Sequence, residues 1–170
     1  MEEYRLYLDK LNMMPHPEGG FYKRNWQSLI NGDLKDAQGK VVFQKRLIGS
    51  SILYLLPHEM VCKWHRVKCD EMWHFYDGTA LNIYLLTPQK GLETVVLGKD
   101  LKAGQIPQFI VPNQTWFAAE LVSPAGFTFC GCTLWPAFSY TDFEMAECVS
   151  LADDFPKYKE LIQRIQNHPQ

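Results

Sequence analysis

Apolar positions along this chain change period twice. Residues 3 to 12 place Tyr4, Leu8 and Leu11 at helical spacing, which predicts a short amphipathic helix. "MPHPEGGFY" ends it, because two prolines and a glycine pair cannot continue a helix. "NGDLKDAQGK" reads as a polar connecting loop with two turn signals. From about residue 41 to 148 the pattern becomes short β-branched and aromatic runs, among them "SSILYLLP", "VCKWHRV", "EMWHFYDG" and "ALNIYLLT". Pro, Gly, Asn or Asp interrupts them about every ten residues, the texture of an all-β sandwich or barrel. "DDFPKYKELIQRI" restores the helical period over 155–166, with Phe155, Tyr158, Ile162 and Ile165 on one face. No internal repeat or linker is visible. The expectation is therefore a single mainly β domain over 1–170, closed at both ends by short helices.

Composition narrows the function. A formal net charge of −2 gives no basic patch for nucleic acid or an anionic membrane. No apolar run approaches a bilayer span, and the acidic start lacks the form of a signal peptide. The five cysteines include no CxxC pair, so reduced, mostly packed thiols and a cytoplasmic location are expected.

The densest chemistry lies in "VCKWHRVKCDEMWHFYDG", Val61 to Gly78. Taken as two strands joined by "KCD" into a hairpin, alternation puts His65 and Val67 on one face and Trp64 and Arg66 on the other. On the second strand Glu71, Trp73 and Phe75 share a face, opposite Met72, His74 and Tyr76. His65 and Glu71 then meet inside the barrel and His74 stays outside, unless a bulge shifts the register. The alternative to a functional His–Glu pair is a satisfied buried polar pair.

The spacing of His65, Glu71 and Gly78 resembles the first motif of the cupin superfamily, G-x5-H-x-H-x3-4-E-x6-G. Together with "HPEGGFYKRNW", "GSSILYLL", "VPNQTWFAAEL" and "GCTLWPAF", it resembles the cupin-like DUF985 (Cupin_5) family. That family is related to the dTDP-4-dehydrorhamnose 3,5-epimerase group. The resemblance implies a cupin-type double-stranded β-helix, or jelly roll, and a homodimer in which N-terminal strands pair across subunits. Two motif positions depart: Val67 replaces a metal-ligating histidine, and Trp116 and Phe117 stand where the second motif carries another. With only His65 and Glu71 left as metal ligands, no cofactor is expected, and a divalent metal is the alternative.

The epimerases to which the chain is similar use a histidine base, a carboxylate that orients it and a tyrosine acid. The resemblance implies a metal-independent isomerase or epimerase acting on a sugar nucleotide or similar polar metabolite. His65 is then the base and Glu71 its partner, with Tyr84 or Tyr76 as the donor. Lys23 and Arg24, beside the "PEGG" turn, suit a phosphate or carboxylate, and Glu18 can reach the barrel mouth. Trp64, Trp73 and Trp116 are candidate stacking surfaces for a sugar or base. The rival readings are a metal-dependent cupin enzyme and a ligand-binding barrel without chemistry.

Overall fold

The computed structural model describes residues 4–169, so the expected helix start at residue 3 lies outside it. Strands are numbered β1 to β13 along the chain. One sheet has six, in the spatial order β1 (Met14–Pro15), β2 (Phe21–Gln27), β5 (Ser50–Pro57), β12 (Phe127–Trp135), β7 (Asp70–Gly78) and β10 (Gln108–Val111). The other has five: β13 (Phe143–Met145), β6 (Cys62–Val67), β11 (Trp116–Leu121), β8 (Leu81–Thr87) and β9 (Gly91–Leu97). Each neighbouring pair of strands is antiparallel. The two sheets form a β-sandwich of the jelly-roll type.

The inner faces come from simple alternation. Tyr54 and Leu56 of β5, Trp73 of β7, Leu81, Ile83 and Leu85 of β8, and Cys130 and Cys132 of β12 form one buried cluster between the sheets. A second core lies outside the five-stranded sheet, where helices α2 (Cys148–Asp154) and α3 (Lys159–Gln166) cover Trp64, Leu86 and Ala118. Ile162 and Ile165 of α3 are fully buried there, each worth roughly 1.5–3 kcal/mol of transfer energy. Helix α1 (Tyr4–Leu11) covers the six-stranded sheet, with the Tyr7 ring 5.2 Å from Phe127 and 4.7 Å from Phe129.

Two readings need correction. The polar segment after residue 30 is a hairpin of β3 (Asn31–Lys35) and β4 (Val41–Leu47), not a loop; the Asp36 carboxylate accepts from the Gln38 and Lys40 amides to close its turn. Strands β6 and β7 are not a hairpin either. "KCD" carries the chain from one sheet to the other, and β6 pairs with β11 and β13 while β7 pairs with β12 and β10. Side-chain parity is the same in both arrangements, so alternation alone does not separate them.

Candidate functional site

The site begins at a tight turn, His16 to Gly20. The His16 amide donates to the Gly20 carbonyl at 2.9 Å, and the Gly19 amide to the His16 carbonyl at 3.0 Å. Gly20 has φ +72°, and a Cβ there would lie 2.6 Å from the Leu55 carbonyl oxygen and 2.9 Å from the Tyr54 hydroxyl. Glycine is required for both reasons. The Tyr54 hydroxyl donates to the Gly19 carbonyl at 2.7 Å. From β6, the Lys63 amide donates to the Glu18 carbonyl at 2.8 Å, so the turn bridges the two sheets. Held this way, Glu18 is buried in the sandwich.

Strand β6 meets it from the other side. His65 pairs with Phe117 and Cys62 with Ala119, which leaves an extra residue on β6. This bulge overrides simple alternation: Cys62 joins His65 on the inner face while Trp64, between them, turns outward to the helices. His65 is 1% exposed. Its Nδ1 lies 2.7 Å from the Lys63 carbonyl oxygen. A carbonyl only accepts, so Nδ1 carries the proton and Nε2 presents a lone pair. That Nε2 lies 3.2 Å from Glu18 Oε2, and the Cys62 thiol is 3.6 Å from the same oxygen. His16 Nδ1 stands 3.6 Å away on a further side.

Burial dominates the protonation of this group. It lowers His16 to about 4 and His65 to about 3. It pushes the Glu18 carboxyl well above the usual range, helped by the nearby charge of Glu71. At neutral pH both rings are thus neutral, and burial favours the protonated form of the Glu18 carboxyl beside the His65 Nε2 lone pair.

Beside this cluster lies a cavity of about 40 Å³, lined by His16, Glu18, Tyr22, Arg24, Ser50, Ile52, Tyr54, Val67, Glu71, Trp73, Cys132, Leu134, Phe138 and Tyr140. Its walls follow the register of the six-stranded sheet: Tyr22 faces Tyr54, Arg24 faces Ile52, Cys132 faces Trp73 and Leu134 faces Glu71. Glu71 is buried, and burial raises it to about 7, against the opposing effect of a hydrogen bond with the Cys132 thiol. Trp73, 1% exposed, has no hydrogen-bond partner for its indole Nε1. Among the described residues Arg24 is the only arginine or lysine in the lining, its Nη1 donating to Gln27 at 3.1 Å.

The structure brings together His65, Glu18, Glu71, Arg24 and Trp73, though the partner of His65 is Glu18 where Glu71 was expected. The other named residues lie elsewhere. Tyr84 is on the outer face of β8, because Leu81, Ile83 and Leu85 take the inner one; it donates to Glu120 at 2.7 Å, within reach of Arg164. Tyr76 is half exposed on the outer face of β7, its ring parallel to His74. Lys23 alternates away from the cavity, opposite Leu53. Trp64 is sealed under the helices, and Trp116 carries the Arg66 guanidinium 4.3 Å above its ring, in an open groove on the far side. His74 stays outside, bonded to Thr133 and Gln108. Tyr22 and Tyr54 escaped the sequence reading. The parity of "SSILYLLP", combined with the glycines that fix the turn beside it, was the available signal for Tyr54.

Comparison with known proteins places this architecture. The family model Cupin_5, cupin superfamily (DUF985), matches residues 6–146. A solved protein of Shewanella oneidensis is 33% identical, with 97% of this chain and 98% of that one covered and a TM-score of 0.84. A hypothetical protein from Leishmania major is 24% identical, with 94% and 96% covered and a TM-score of 0.82. An oxalate decarboxylase variant from Bacillus subtilis shares the fold alone, at 12% identity and a TM-score of 0.54, covering 91% of this chain and 37% of that one. No curated protein matches the sequence.

Proposed function

The chain belongs to the Cupin_5 family of the cupin superfamily, and from that premise we propose that it is an enzyme of isomerase or epimerase type, moving a proton on a small anionic metabolite in the cavity beside Arg24. The observation that carries this reading is Glu71, a buried carboxyl in the cavity wall, on the same strand face as Trp73, whose buried indole N–H has no hydrogen-bond partner. Burial raises Glu71 to about 7, where a group both takes and returns a proton near neutral pH. Removing a proton beside a carbonyl also needs a donor for the developing oxyanion, and the Trp73 N–H supplies one. Leaving that N–H unpaired costs roughly 1–3 kcal/mol, which a bound acceptor restores. Arg24 supplies the charge for a carboxylate or phosphate.

Size selects among substrates. A cavity of about 40 Å³ admits about three waters, each needing roughly 10–15 Å³ by this measure. A small oxo acid fits this better than a sugar phosphate or a whole sugar nucleotide, most of which would remain outside. The reaction class follows the resemblance to the 3,5-epimerases; the proton carrier here is Glu71, with Glu18 and His65 as the buried pair behind it.

The test is exchange of substrate C–H for solvent deuterium, followed by NMR across small 2-oxo acids, sugar phosphates and keto-sugar nucleotides. Wild type exchanges at least one of them; Glu71→Gln slows this by about 100-fold or more, and Tyr84→Phe leaves it unchanged. Tight binding of a panel compound without exchange would replace the enzyme with a non-catalytic binding barrel.

A further inference from the structure

The proton-transfer reading uses Glu71 and leaves the Glu18–Cys62–His65 cluster without a chemical task. We infer that these three side chains form a binding site for one zinc-class divalent ion, with three protein ligands and one coordination position left over. The inference goes beyond the proposed reaction and does not rest on it.

The donor set comes first. A carboxylate, a thiolate and an imidazole are the ligand types that favour zinc or cobalt over calcium or magnesium, which prefer oxygen alone. Here a glutamate, a cysteine and a histidine side chain meet inside the sandwich, all three ligand atoms within 4.8 Å of one another and all three residues buried. Glu18 and Cys62 release their protons as the ion binds. None is a lone polar group on a surface.

The distances agree with a tetrahedral ion. Bonds of about 2.0 Å to nitrogen and oxygen and about 2.3 Å to sulfur set N···O edges of about 3.3 Å and O···S edges of about 3.5 Å. His65 Nε2 and Glu18 Oε2 are 3.2 Å apart, and Glu18 Oε2 and Cys62 Sγ are 3.6 Å apart. Two edges of the coordination polyhedron are therefore already at the required lengths, and the third lies within 4.8 Å.

Orientation supports the same reading. The Lys63 carbonyl fixes the His65 proton on Nδ1, which aims the Nε2 lone pair at Glu18. A metal-bound histidine is characteristically held this way, by a hydrogen bond from its other nitrogen. Two acceptor atoms facing each other need a proton or a cation between them, and a divalent ion satisfies all three ligands at once. The bulge in β6 matters here, since without it Cys62 would face away from His65. Glu18 alone of the three lines the cavity, so the cluster lies against the cavity wall.

The set differs from the one that the cupin motif suggests. Glu71 is not part of it, and Glu18 arrives from the N-terminal turn instead. That difference makes the site testable apart from catalysis.

The experiment loads the full chain with cobalt(II), removes excess by gel filtration, and measures retained metal together with the absorption spectrum. Wild type is expected to keep one cobalt per chain and to show thiolate-to-cobalt charge transfer. Glu18→Gln, nearly isosteric, lowers retention by about tenfold or more, and Cys62→Ser removes the charge-transfer band. Glu71→Gln keeps both signals, so loss of exchange activity in that variant and loss of metal in Glu18→Gln are separate outcomes. Circular dichroism checks that each variant folds, and Glu18→Gln decides alone if Cys62→Ser does not. Failure of wild type to retain cobalt overturns the inference. So does equal retention in Glu18→Gln, or loss in Glu71→Gln, since each would put the ion elsewhere.

Discussion

The imidazole of His65 and the carboxyl of Glu18 meet at 3.2 Å, one on a strand of the five-stranded sheet and the other in the turn leading into the six-stranded sheet. Burial favours the protonated form of Glu18, and in metal-free protein that form donates to Nε2 across this contact. Glutamine keeps a donor in place and alanine does not. Glu18→Ala is therefore expected to lose roughly 1–3 kcal/mol, the cost of a buried unsatisfied acceptor, and Glu18→Gln clearly less. Urea unfolding of the chelator-treated variants measures the difference, and equal losses would show that the bond contributes nothing.

Stability should respond to pH in two opposing ways. His16 and His65 are held neutral down to about 4 and about 3, whereas in the unfolded chain they protonate near 6.5. Their contribution is complete above 6.5 and is lost as pH falls toward those values. Glu71 runs the other way: raised from 4.5 to about 7, its contribution is complete below 4.5 and is lost as pH rises through 7. The shift corresponds to roughly 3 kcal/mol. Glu71→Gln should accordingly gain on wild type between about pH 5 and about pH 8, followed by urea midpoints. A constant gap between the two across that range would mean that Glu71 titrates normally.

Gly20→Ala tests the turn. The positive φ and the 2.6 Å approach to the Leu55 carbonyl together predict a loss of about 1–3 kcal/mol. Glu18 should move with the backbone, so cobalt retention falls alongside the thermal midpoint. An unchanged midpoint would show that the turn adapts freely.

Arg24 and Lys23 are neighbours in sequence with opposite placements, Arg24 lining the cavity and Lys23 facing away. For any anion of the substrate panel that binds, Arg24→Ala should weaken affinity by about tenfold or more, the value of a charged hydrogen bond. Lys23→Ala should leave it unchanged. Calorimetric titration separates the two, and equal effects would point to general electrostatic attraction.

Much of this arrangement could be read from alternation. The inward set Glu71, Trp73 and Phe75, the outward His74, and the outward Arg66, paired with Glu144 at 2.7 Å, all follow from period two. The apolar stripe of the last helix was equally legible, because Ile162 and Ile165 recur at helical spacing. The partner of His65 was not. Glu18 lies far away in sequence, in a turn whose direction depends on Gly20 and on the Lys63 hydrogen bond. Nor did the pattern disclose the bulge that turns Cys62 inward, since an extra residue leaves no mark on composition. Tyr84 and Tyr76 looked suitable by chemistry alone, and their strand parity sends both to outer faces.

The contact between Glu18 and Cys62 spans 44 residues. On a ribosome, the turn therefore emerges well before the strand that it must grip. At about 5–20 residues per second it waits roughly two to nine seconds for that strand alone, and longer for the sheet around it. During that interval the glutamate is in water and ionised, and the pocket has no floor. Newly made chains thus pass through a stage with neither acid–base pair nor cation site, and chemistry becomes available only when the two ends of this contact have closed.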